Sequence, residues 1–219
     1  MTVAGTLDKA FLMFLCAMIP AAYTWNQFTI GAVDKVNMLM MVGLIAGFVF
    51  ALISAFTRNK VFMTLYAICE GLFLGGISAV FNQAYPGIVI QAVLATFAAM
   101  LSMLGLYRFN IIKCTDKFRS VVFISTVSIA VLYLIQWIAS FFHYSIPAIF
   151  GNGSIGIGFS IIVVGIAALN LILDFDFIEK GVQNMLPKDF EWYGAFGLMV
   201  TLVWLYLEIL RLLAKLRDR

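Results

Sequence analysis

The chain has 219 residues, 63% hydrophobic and 11% charged, with a net charge of +3 and a mean hydropathy of +1.04. A soluble domain carries about 25% charged residues to wet its surface, so this composition excludes a water-soluble globule. The small positive charge gives no electrostatic case for binding nucleic acid. A membrane span takes roughly 20 mostly apolar residues, so the whole length reads as a single polytopic domain over 1–219, all-α, with about seven spans and short loops.

In chain order the spans are expected near 9–26, 37–56, 61–82, 87–107, 120–142, 153–175 and 193–214. The breaks are Asp34-Lys35, the stretch Thr57 to Lys60, Tyr85-Pro86-Gly87, the basic stretch Arg108 to Arg119, Pro147 to Gly153, and the polar stretch Glu179 to Glu191. The first span is the weakest, being short and carrying Pro20. No cleavable signal is read there, because no small-residue cleavage motif follows. Seven spans would put Lys9, Arg58, Lys60, Arg108, Lys113, Lys117, Arg119, Lys180 and Lys188 on one side. The other side would hold Lys35, Arg211, Lys215, Arg217 and Arg219. The excess of positive charge on the first side favours a cytoplasmic N-terminus in a cell membrane. A six-span arrangement with one re-entrant segment is the alternative that accommodates the basic C-terminus.

Cys16, Cys69 and Cys114 form no CxxC motif and are odd in number, so free thiols are expected, with neither a disulfide framework nor a zinc site. His143, the one histidine, sits at the end of span five beside Phe141-Phe142 and reads as an interfacial bystander. Trp25, Trp137, Trp192, Tyr85 and Tyr193 lie near span ends, where aromatic side chains anchor helices at the interface.

The informative residues are acids placed where lipid is expected. A charge at the bilayer centre costs about 2.5–3.5 kcal/mol on insertion scales. Glu70, Asp174, Asp176 and Glu208 are the candidates, and no Lys or Arg is close in sequence at the depth of the first three. Burial without a cationic partner favours a neutral carboxyl, which can then titrate where a solvated carboxylate does not; once ionised it is a hard oxygen ligand suited to a divalent cation. Glu70 adjoins Gly71, Gly75 and Ser78, a small-residue face for a neighbouring helix. It reads either as a hydrogen-bonded structural acid or as a pathway acid. Asp174 and Asp176 end span six and diverge by about 200° around a helix, so one faces the bundle while the other can face water. Asn170, one turn earlier, makes Asp174 the inward candidate. Glu208 shares a face with Thr201 and lies three residues before Arg211, with which it can pair. Asn170, Ser160 and Gln136 either line a polar path or bond between helices.

Glu70–Ser78 (EGLFLGGIS), Leu173–Glu179 (LDFDFIE), Glu191–Gly197 (EWYGAFG) and Trp204–Leu213 (WLYLEILRLL) occur in an order and spacing that resembles the Bax inhibitor-1 (transmembrane Bax-inhibitor-motif) family in its bacterial branch. The resemblance extends over the whole chain. It implies six helices surrounding a central C-terminal seventh, and a passive, pH-dependent calcium leak, with suppression of cell death in eukaryotic members. It also implies a pH sensor of two acids, late in helix six and in helix seven, sharing one proton and titrating as a unit. Asp174 matches the first. Glu208 matches the second through Leu205-Tyr-Leu-Glu, whereas an ungapped match from the end of span seven puts Thr201 there; Glu70 is a further acid able to substitute.

The leading expectation is therefore a pH-sensitive cation leak channel, not an enzyme. Ca²⁺ is the permeant ion, and Asp174 with Glu70 or Glu208 supplies the sensor. Asp176 lies on the same pathway, and Asp174 is the candidate metal ligand. No cofactor is expected, and the partners are the lipid bilayer, Ca²⁺ and protons. A proton-coupled secondary transporter and a membrane-embedded regulator of another membrane protein are the alternatives.

Overall fold

The computed structural model describes residues 1–142 and 147–218; His143 and Arg219 lie outside them. The described chain is helical throughout: α1 (Val3–Thr29), α2 (Val33–Thr57), α3 (Lys60–Ala84), α4 (Ile88–Arg108), α5 (Asp116–Phe141), the short α6 (Pro147–Phe150), α7 (Ser154–Gln183) and α8 (Asp189–Arg217). All but α6 are long and apolar enough to cross a membrane, which makes seven candidate spans among the described residues. Each of these seven leaves large apolar side chains uncovered, for example Ile19 at 74%, Phe48 at 65% and Ile90 at 68% exposure. Such surfaces are stable against hydrocarbon and unstable in water.

The helix ends follow local chemistry. Thr2, Asn59 and Thr115 cap α1, α3 and α5 by accepting from the backbone N–H groups of Gly5, Val61 and Phe118. Gly87 enters α4 at φ +80°, a left-handed conformation that disfavours a Cβ.

Two expectations change. The first helix runs unbroken through Pro20 for 27 residues, since a proline is tolerated in a spanning helix. And α7 does not stop at 175: it continues to Gln183, so Asp174 and Asp176 lie within the helix, not at its end.

Two compact units can be distinguished. The first comprises Met1–Pro86 and Phe177–Val200. In it α3 packs against both α1 and α2. Gly71 and Gly75 sit on the backbone of α1: a Cβ on either would stand 2.2 Å from the carbonyl oxygen of Ala17 or Ala21. Tyr66 meets Phe196 edge-on at 5.2 Å. The second unit comprises Gly87–Asp176 and Thr201–Arg219, in which α7 runs antiparallel to α5, as the pairings Arg119–Asp176 and Thr126–Asn170 require.

Candidate functional site: a polar track in the second unit

Inside the second unit, polar side chains of α5, α7 and α8 meet at successive depths. At one level the Arg119 guanidinium donates to Oδ2 of Asp176 at 2.7 Å; the Asp176 side chain is 8% exposed and that of Arg119 48%. Two residues back on α7, Asp174 is hydrogen-bonded by Thr201 of α8, while its Oδ2 is enclosed and has no hydrogen-bond partner among the described residues. One turn further back, the Asn170 amide nitrogen donates to Thr126 Oγ1 of α5 and to the Ile166 carbonyl, both at 2.8 Å.

Next along α8 is Glu208, whose side chain is 2% exposed. The Tyr133 hydroxyl lies 2.9 Å from both of its carboxyl oxygens. Arg211 reaches the same carboxyl at 3.0 and 3.1 Å and the Tyr133 oxygen at 2.7 Å. The guanidinium also lies over the Tyr133 ring, 5.1 Å from its centroid. Last comes Lys215, only 5% exposed, donating to the Gly156 carbonyl at 3.1 Å and to Ser160 Oγ at 3.0 Å. From Asp176 back to Gly156 is twenty residues of α7, about 30 Å at 1.5 Å per residue, which equals the hydrocarbon thickness of a bilayer.

The acids singled out from sequence thus have different surroundings. Asp176, expected without a local cation and with one side open to water, is buried and paired with Arg119, 57 positions away in sequence. Glu208 makes the expected bond to Arg211, with Tyr133 as an added partner that no sequence pattern marked. Of the two residues proposed to match the second acid, Thr201 is the one beside Asp174. Glu208 lies seven residues on, about 10 Å further along α8. Glu70 belongs to the first unit, on the α2-facing side of α3, where its Oε2 would stand 3.3 Å from a Cβ on Gly47.

A buried acid of the first unit carries no site signal of its own in the sequence. Glu191, at 3% exposure, is ion-paired with Lys9 and accepts from the backbone N–H and hydroxyl of Thr2 at 2.9 and 3.2 Å. Outside the spans, Cys114 lies against the Asp176–Arg119 pair; burial first, and then the Asp176 carboxylate, push its thiol above the ordinary range. All three cysteines are free. Among the described residues no cluster of three His, Cys, Asp or Glu side chains is arranged to hold a metal ion.

Seven apolar helices, with ionised and neutral polar groups enclosed among them, define a multi-pass membrane protein. A family model described as Bax inhibitor 1 like matches residues 1–218, and the chain belongs to that family. The resemblance carried by the four motifs is thereby borne out over the whole chain. No curated protein and no solved structure matches it.

Proposed function

We propose that this protein is a passive, pH-sensitive cation leak of the cell membrane, with Ca²⁺ as the permeant ion, a cytoplasmic N-terminus, and neither cofactor nor catalytic activity. The observation that carries the reading is Asp174: one of its carboxyl oxygens is enclosed within a spanning helix and unpartnered. An ionised carboxylate there is expensive, and in this reading its protonation state controls the leak. When the proton leaves, the carboxylate is a hard ligand, with the Thr201 hydroxyl beside it and the Asn170 amide one turn away. Calcium prefers six to eight oxygens, and so few protein ligands hold it only weakly. Weak holding is what permeation requires.

Because the neighbour on α8 is a hydroxyl, the sensor in this reading is a single carboxyl and titrates as one site, without the two coupled steps of a carboxylate pair. Asp176 and Glu208, in the same unit, then shape the field around the pathway.

The test is Ca²⁺ entry into liposomes containing an indicator dye, recorded across pH. Entry should rise with pH along a one-proton curve, and Asp174→Asn should hold it at the low-pH rate. No entry above protein-free liposomes at any pH, with folded and inserted protein, would remove the leak reading. Uphill movement driven by a proton gradient would replace it with coupled transport.

A further inference from the structure

The two ends of the polar track hold their charges differently. At one end Asp176 is bound by Arg119, and Asp174, two residues back, by Thr201. At the other, Glu208 is engaged by Arg211 and Tyr133, Asp218 accepts from Asn152, and Lys215 lies enclosed one turn beyond Arg211. Lys215 is the unusual member. It is almost wholly enclosed, and its two hydrogen bonds go to neutral oxygens, the Gly156 carbonyl and the Ser160 hydroxyl. Carbonyl and hydroxyl oxygens are the ligands an inorganic cation takes on leaving water. Here a tethered ammonium occupies them.

We propose that Lys215 is the rate- and valence-determining residue of the track: its fixed positive charge is the barrier that a permeating cation must pass. This rests on the cation-leak reading above. The neighbouring charges do not cancel it. Glu208 is engaged by its own partners, while Asp218, which accepts from Asn152 at 2.7 Å, and Arg217, with its guanidinium on Gln91 at 2.9 Å, are both exposed, where solvent screens them. A field barrier has a signature that a steric plug lacks, because its height is proportional to the charge of the ion. A field barrier that slows a monovalent ion about tenfold slows a divalent ion by the square of that, about a hundredfold.

The experiment compares Na⁺ and Ca²⁺ entry into dye-loaded liposomes, with a protonophore present to dissipate charge, for the wild type, Lys215→Met and Lys215→Gln. Methionine keeps the length of the stem; glutamine keeps a donor for Ser160 and guards against misfolding of the first variant. Both should raise Na⁺ entry about tenfold and Ca²⁺ entry about a hundredfold, while Arg217→Met stays at the wild-type rate. Equal rises for the two ions would overturn the proposal in favour of a plug, and unchanged or lower entry in both folded variants would overturn it outright. Adding Asp174→Asn to Lys215→Met separates the two readings. If that double variant conducts as fast as Lys215→Met alone, the role of Asp174 falls and the barrier stands. If Asp174 controls a wild-type flux that the Lys215 variants leave unchanged, the barrier alone falls.

Discussion

The two units hold their helices together by different means. In the first, α3 is pressed onto α1 at Gly71 and Gly75 so closely that backbone meets backbone, packing of the kind usual where lipid removes the hydrophobic drive between helices, alongside the Lys9–Glu191 ion pair. In the second, cohesion is supplied by charged and polar side chains reaching across: Arg119 to Asp176, Asn170 to Thr126, Tyr133 and Arg211 to Glu208, Lys215 to Ser160. Contact through glycine leaves no room for an ion. Contact through polar side chains leaves groups that can exchange a bond within the protein for a bond to water or to an ion. The difference makes the second unit the place to test the proposed pathway.

The widest separation between the two modes should come from filling the glycine contacts. Gly71→Leu or Gly75→Leu has backbone in its way and should cost about 3 kcal/mol or more, read as lost thermal stability in detergent. Gly105→Ala, whose Cβ would meet nothing within 4 Å, should stay within about 0.5 kcal/mol. In the second unit Arg119→Met removes the charged hydrogen bond to the enclosed Asp176 carboxylate and should cost about 1.5–3 kcal/mol. Asp176→Asn should cost less, because Arg119 is half-exposed and already hydrated, so no enclosed charge is left behind. Tyr133→Phe removes one hydroxyl and leaves the Glu208–Arg211 pair, for a loss of about 1 kcal/mol in the same measurement. The smallest effect is kinetic. With Asp176 replaced by Asn, the Arg119 charge acts on Cys114 unopposed and its thiolate becomes more abundant. Labelling by a membrane-impermeant maleimide at pH 8 should then speed up severalfold, and the face from which the reagent works reports the side on which Cys114 lies.

What was legible in the sequence divides along the same line. Spans could be read because hydropathy is summed over some twenty residues and one proline cannot overturn it. The Glu208–Arg211 pair was legible because three residues on a helix are neighbours by geometry. Asp176–Arg119 was not, because the partners are 57 positions apart and an arginine stem reaches far beyond the depth of its own Cα. The surroundings of Asp174 were legible only as a choice: periodicity puts Thr201 and Glu208 on one face of a helix but does not say which of them stands level with a residue on another. Lys215 looked like one more basic residue at a helix end. Only the oxygens of Gly156 and Ser160, brought back from α7, distinguish it.

The clasp of Thr2 and Lys9 on Glu191 bears on how the protein is made. Lys9 and its partner are 182 positions apart, which at about 5–20 residues per second is roughly 10–40 s of synthesis. Through that interval the first helix is already in the membrane with an ammonium that has no carboxylate to answer it. The first unit therefore cannot close until the last spanning helix has begun to emerge. A chain that stalls or is cut before Glu191 leaves this part of the protein open, its first helix exposed to whatever quality control patrols the bilayer.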